Sequence, residues 1–113
     1  MPNVYDSLAF DALPAAELTK IGDKLRINAP AIHGVEEGQE VVFFIRTPLG
    51  HGIAIYVTLL RSNLKQPIVV EIEEKELPKS KVLHIDYGAY INKRAVHRSA
   101  VADYPASEDT ARG

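Results

Sequence analysis

The sequence predicts an all-β sandwich of six or seven antiparallel strands. Three observations carry this. Two apolar runs, Val41 to Ile45 and Ile53 to Leu60, are dominated by Val, Ile, Phe, Tyr and Thr, which suit a pleated, half-buried surface. The break between them, Thr47-Pro48-Leu49-Gly50-His51-Gly52, holds one proline and two glycines, and a helix through it would be costly. Further apolar runs return every ~10–15 residues with turn signals between them, the rhythm of a sandwich or barrel.

At 113 residues the chain is the size of one domain. It has no cysteine, so disulfides and thiolate metal sites are excluded and the redox compartment stays open. A net charge of −2 and a pI near 6.1 argue against general nucleic-acid affinity, which needs a basic footprint. No run of about 18 apolar residues is present, so no membrane insertion by a helix is expected. The N-terminal stretch lacks a basic region and carries acids among its apolar residues, unlike a secretory signal. Cytoplasmic location, export by a non-classical route and a place in a larger chain all remain open.

Residues 1–20 are expected to form a lead-in along the sandwich, with a helical turn starting at Pro14 and Leu8, Phe10 and Leu13 as anchors. The domain proper spans residues 21–105. Lys24 to Ala29 alternates polar and apolar and reads as the first strand, ended by Pro30. Ile32 to Val35 is a crossing loop and Glu36 to Gln39 a turn. In the second strand, Glu40 to Arg46, Val41, Phe43 and Ile45 share one face and Val42 and Phe44 the other. Such two-sided apolarity marks a central strand or one covered by the lead-in. His51 to Leu60 is the third strand, with Ile53, Ile55, Val57 and Leu59 inward. A polar loop with room for a seventh strand (residues 61–66) precedes the strand Ile68 to Ile72. Glu73 to Leu77 forms a short turn stopped by Pro78. Val82 to Ile91 alternates again, with Leu83, Ile85, Tyr87, Ala89 and Ile91 on one face and His84, Asp86 and Tyr90 on the other. Asn92-Lys93-Arg94 is a turn, and Ala95 to Tyr104 the last strand. The polar tail, residues 106–113, is expected to be disordered. The predicted core is Leu25, Ile27, Val41, Phe43, Ile45, Ile55, Val57, Val70, Ile72, Leu83, Ile85 and Tyr87.

Several of these residues carry a family resemblance. The pattern Leu25-x-Ile27-x-x-Pro30, Gly34-Val35-x-x-Gly38-Gln39-x-Val41 and the run ending near Tyr56-Val57 resembles the front half of bacterial immunoglobulin-like modules. Pro67 with Ile72, Leu77, the run Val82 to Tyr87 and Arg98-Ser99 resemble the back half. The resemblance spans about residues 21–105 and rests on turn and core signatures; the tryptophan that many such modules carry on a central strand is missing. It implies an immunoglobulin-like sandwich and a role linked to large repetitive bacterial surface and adhesion proteins. It implies no catalytic residue.

Candidate sites each have a plainer explanation beside them. Asn92, Lys93, Arg94, His97 and Arg98, with Tyr90, make a basic cluster at a hairpin tip that suits an anion such as a phosphate, sulfate or acidic glycan; a solvated turn, where charge aids solubility and register, is the commoner reason for such a cluster. Tyr56, Tyr87, Tyr90 and Tyr104 suit an aromatic platform for sugar or peptide, or packing along a core edge. His84 and Asp86, two residues apart on one strand face, can reach one metal ion, but the four histidines His33, His51, His84 and His97 lack the spacing of a helical zinc site. The serines have no nucleophile elbow, and Gly34 to Gly38 lacks the Lys-Ser/Thr of a phosphate loop.

A non-enzymatic recognition or structural module follows, with no cofactor, no metal and a protein or glycan partner. The alternatives are a small β-barrel or cupin-like metal-dependent enzyme using His51, His84 and Asp86, and a subunit of a larger assembly such as a virion or secretion component. Open sheet edges invite strand pairing. Lys24, Arg26 and Pro30 protect the first strand, whereas Ala95–Tyr104 is long and weakly charged, so intermolecular contact is expected through that last strand and the turn before it, by strand addition to a second copy or by docking of a partner's extended segment.

Overall fold

Alternating burial along the chain resolves into two sheets in the computed structural model, which describes residues 11–105. The strands are β1 (Asp11–Leu13), β2 (Glu17–Ile21), β3 (Lys24–Ala29), β4 (Glu40–Arg46), β5 (Gly52–Thr58), β6 (Ile68–Glu73), β7 (Leu83–Ile91), β8 (Arg94–Ser99) and β9 (Ala102–Tyr104). The larger sheet is ordered β1-β8-β7-β4-β5, with β9 also on β7; the smaller is β2-β3-β6. The all-β sandwich expected from the sequence is present. Its order is immunoglobulin-like: four strands, β8-β7-β4-β5, stand as G-F-C-C′ do in such domains, and β3 pairs with β6 as B does with E.

The core lies where the inward faces meet. Leu25, Ile27 and Ala29 of β3 and Ile68 and Ile72 of β6 pack against Val41, Phe43 and Ile45 of β4 and Leu83, Ile85, Tyr87 and Ala89 of β7. Nine of the twelve expected core residues are in this buried cluster, and the other three, Ile55, Val57 and Val70, are half-buried against it. Ile55 and Val57 belong to β5, the strand at one end of the larger sheet. Leu59, just past β5, is fully buried instead.

Three expectations are corrected. Residues 11–20 hold no helical turn among the described residues; Pro14 lies in a crossover between β1 and β2, and the lead-in supplies a strand to each sheet. Residues 61–66 form a short 3-10 turn at Arg61–Asn63, closed by the Asn63 side chain accepting from Leu60 N–H at 2.9 Å, and no strand. The last strand is broken into β8 and β9 at Ala100 and Val101. Among the described residues the strands therefore number nine, and one pairing, β1 with β8, is parallel. Leu13 packs against the core as expected; Leu8, Phe10 and the tail lie outside the described residues.

The break in the last strand has a local cause. Gly88 lies opposite Arg98, but Ile85 lies opposite Ala102, so an extra residue bulges out between them. Tyr87 N–H then donates to the Ser99 hydroxyl at 2.9 Å, in place of a backbone carbonyl, and that hydroxyl donates to the Ala100 carbonyl at 2.8 Å. The Tyr87 ring packs at 5.9 Å from that of Phe43, and its hydroxyl donates to the Pro14 carbonyl at 2.7 Å.

Phe43 is fully buried on the central strand, so Phe43→Ala should cost about 3–5 kcal/mol in a denaturant titration. A loss below about 1 kcal/mol would break the register described here.

Tyr104 ties the larger sheet to the turn that follows β6 of the smaller one, its hydroxyl donating to Glu74 Oε2 at 2.9 Å. Burial, the hydrogen bond to Glu74 and the negative charge of Glu74, in that order, push its pKa from the usual 10.0 to about 12. The folded state thus holds this proton more tightly than the unfolded chain does. The stability it contributes is complete below pH 10 and is lost as pH rises through about 12. Tyr104→Phe should therefore flatten the fall in melting temperature across this alkaline window; an unchanged slope would refute the linkage.

Candidate functional site

The outer face of the larger sheet collects side chains from every long strand. Residues paired across strands share a face, so the register sets out its rows. Tyr56, Val42, Gly88 and Arg98 form one row; Ala54, Phe44 and Asp86 the next. Thr58, Glu40 and Tyr90 lie to one side, and Arg46, His84 and Asp103 to the other. The apolar centre follows from β4, whose outer positions Val42 and Phe44 are as hydrophobic as its inner ones. Val42 is only 3% exposed. Phe44 meets the Tyr90 ring edge-on at 6.1 Å. Gly88 makes room for this: a Cβ there would press on the His97 carbonyl and the Tyr90 ring. Tyr56, at 64% exposure, stands at the rim. A groove of about 500 Å³ runs between Glu40, Val42, Phe44, Tyr56, Tyr90 and Lys93.

Beside this apolar centre lies an ionic network. The Asp86 side chain is buried, 4% exposed, yet sits on the outer face of β7. Arg46 Nη1 donates to its Oδ1 at 3.0 Å and Arg98 Nη2 to its Oδ2 at 3.3 Å. The Arg46 guanidinium also lies 4.4 Å from the centre of the Phe44 ring, a cation–π contact. Asp86 thereby holds two half-exposed cations, one of which, Arg46, lies over the Phe44 ring. His84 Nδ1 and Asp103 Oδ1 are 2.7 Å apart one row away.

The structure separates the residues of the predicted hairpin cluster. Asn92 and Lys93 form the tip with φ of 50° and 67°, the two-residue turn that matches strand twist. Tyr90 and Lys93 line the groove, and Arg98 turns to Asp86. Arg94 is exposed opposite Ile91, whereas His97 lies opposite Ala89, on the line of the core face. The six residues do not converge on one anion. The tyrosines divide likewise. Tyr56 and Tyr90 are on the outer face, Tyr87 is in the core with its pKa raised by burial, and Tyr104 is half-buried against Glu74. His84 and Asp86 do neighbour each other's rows, but each is bound to another side chain. Among the described residues no group of three or more metal-ligating side chains comes together. No helix among them is long and apolar enough to cross a membrane.

The Arg46–Asp86–Arg98 network was not anticipated from the sequence. Its signal was the presence of charged residues at outward positions of β4, β7 and β8, but joining them requires the cross-strand register. The outer edge of β8, expected to be open along Ala95–Tyr104, is closed at its middle. There β1 pairs with His97, Arg98 and Ser99, and Ala100 N–H donates to the Leu13 carbonyl at 2.9 Å. No known protein family model matches the chain, and no curated protein matches its sequence significantly.

Asp86→Ala should destabilise the fold by about 1–3 kcal/mol, because a buried acceptor is lost while the half-exposed guanidinium groups can turn to water. Thermal unfolding of the variant measures it, and an unchanged midpoint would mean the network carries no structural weight.

Proposed function

We propose that this chain is a non-enzymatic recognition module that takes a protein partner on the outer face of its larger sheet. The observation that carries this is the joining of an apolar-aromatic centre, Val42, Phe44, Tyr90 and the exposed Tyr56, to the guanidinium groups of Arg46 and Arg98, both held by Asp86. Tyrosine, phenylalanine and arginine are the residues that enrich protein interfaces, with aromatic anchors at the centre and charge at the rim. On this face His84 is committed to Asp103 and Asp86 to its two arginines. That pairing suits fixed positioning better than proton transfer. The resemblance to bacterial immunoglobulin-like modules supports the same class of role and adds a connection to surface or adhesion proteins.

Panning a random peptide display library against the folded protein tests this. Selected peptides should perturb the amide resonances of β4, β5 and β7. Their affinity should fall by roughly 30-fold or more in Tyr56→Ala, the loss of a hot-spot aromatic, and be unmoved by Val69→Ser on the smaller sheet. Binders that map to the smaller sheet, or that ignore Tyr56→Ala, would overturn the proposal.

A further inference from the structure

The larger sheet ends at the three-residue β1 on one side and at the seven-residue β5 on the other, and nothing pairs with the outer edge of β5 among the described residues. Exposed edges are normally blunted by charge, proline or a bulge. The smaller sheet follows that practice: β2 carries Glu17 and Lys20, and β6 carries Glu71 and Glu73. The opposite edge of the larger sheet is covered at its middle by β1. Strand β5 reads Gly-Ile-Ala-Ile-Tyr-Val-Thr, without a charge or a proline, and pairs with β4 in unbroken register.

The direction of its free backbone groups follows from the bonds at either end. Thr47 N–H donates to the His51 carbonyl at 2.7 Å, and Leu59 N–H to the Gln39 carbonyl at 2.8 Å. Antiparallel residues alternate in the side to which they bond. Ile53, Ile55 and Val57 therefore bond to β4, and Gly52, Ala54, Tyr56 and Thr58 present N–H and C=O to the open edge.

We propose that β5 pairs antiparallel with β5 of a second copy, about a two-fold axis at Ile55. The strand is complementary to itself in this register. Tyr56 falls opposite Ala54 of the second copy and Thr58 opposite Gly52, large against small. On the core side Ile55 meets Ile55, and Ile53 meets Val57. All the edge-facing backbone groups find partners, and no like charges are opposed. Ile53, Ile55 and Val57, only half-buried in one copy, gain cover. Isologous contacts of this kind close after two subunits. The pairing joins the two outer faces into one sheet, with both Tyr56 rings near the axis, and it does not depend on the partner proposed above.

The absence of cysteine allows a register-specific test. In the pair that does not exchange hydrogen bonds, Cα atoms lie about 4.5 Å apart, within disulfide reach of about 4.4–6.8 Å. Ile55→Cys should cross-link to itself under mild oxidation at least about tenfold faster than Ile53→Cys or Val57→Cys alone, whereas a mixture of those two should yield the mixed dimer. Equal rates at the three positions would overturn the register and the proposal. In parallel, sedimentation equilibrium of the unmodified chain up to about 100 μM should show a mass rising from monomer toward dimer. Ala54→Pro removes a donor that faces out and not toward β4, so it should weaken this association at least about tenfold with an unchanged melting temperature. A monomeric mass at every concentration, or undiminished dimerisation of Ala54→Pro, would overturn it.

Discussion

The hydrogen bond from the Tyr87 hydroxyl to the Pro14 carbonyl holds the point where the chain passes from one sheet to the other. Burying a phenol without a partner costs on the order of 1–3 kcal/mol, so the ring can fill the centre of the core beside Phe43 only if its hydroxyl finds an acceptor. The crossover carbonyl supplies it. With the crossover fastened there, β1 lies beside β8 and β2 beside β3. The backbone of the same tyrosine is served by Ser99 at the bulge. One residue thus links the central strand, the interrupted last strand and the N-terminal strands.

That arrangement decides which surfaces are left for partners. The β1 strand occupies the edge beside β8, leaving β5 as the free end of the larger sheet. The smaller sheet has only three strands, so the inward residues of β5 are incompletely covered, and a groove of about 480 Å³ opens between Ile53, Ile55 and Ile72. The outer face of the larger sheet is apolar at its centre because β4 is hydrophobic on both sides. It is held in shape by Asp86, whose burial is compensated by two guanidinium groups. A buried carboxylate without such partners would be costly, so the orientation of Arg46 and Arg98 is a consequence of where Asp86 sits.

The candidate face was partly legible. Val42 and Phe44 stood out as apolar residues on the wrong side of an alternating strand, and Tyr90 and Arg98 were singled out for other reasons. The hairpin cluster failed as a unit because neighbours in sequence on a strand point to opposite faces. The register, shifted by bulges on either side of His97 and Arg98, then determines which of them faces the groove. Tyr87 and Tyr104 could not be told from Tyr56 and Tyr90 by residue type, since a phenol suits a core edge and a rim equally.

Strands β3 to β7, their inward faces and the two-sheet class were legible in the order of the residues alone. Each of these follows from local alternation, from proline and glycine breaks and from the need to bury one face. Packing between strands makes the segment around Pro14 into two strands, because strands of three and five residues draw their stability from the strands they pair with. It also decided the Arg46–Asp86–Arg98 network, which joins residues 40 and 12 positions apart, and the identity of the open edge. Both depend on which strand lies next to which, and a period of two along one strand carries no information about its neighbours.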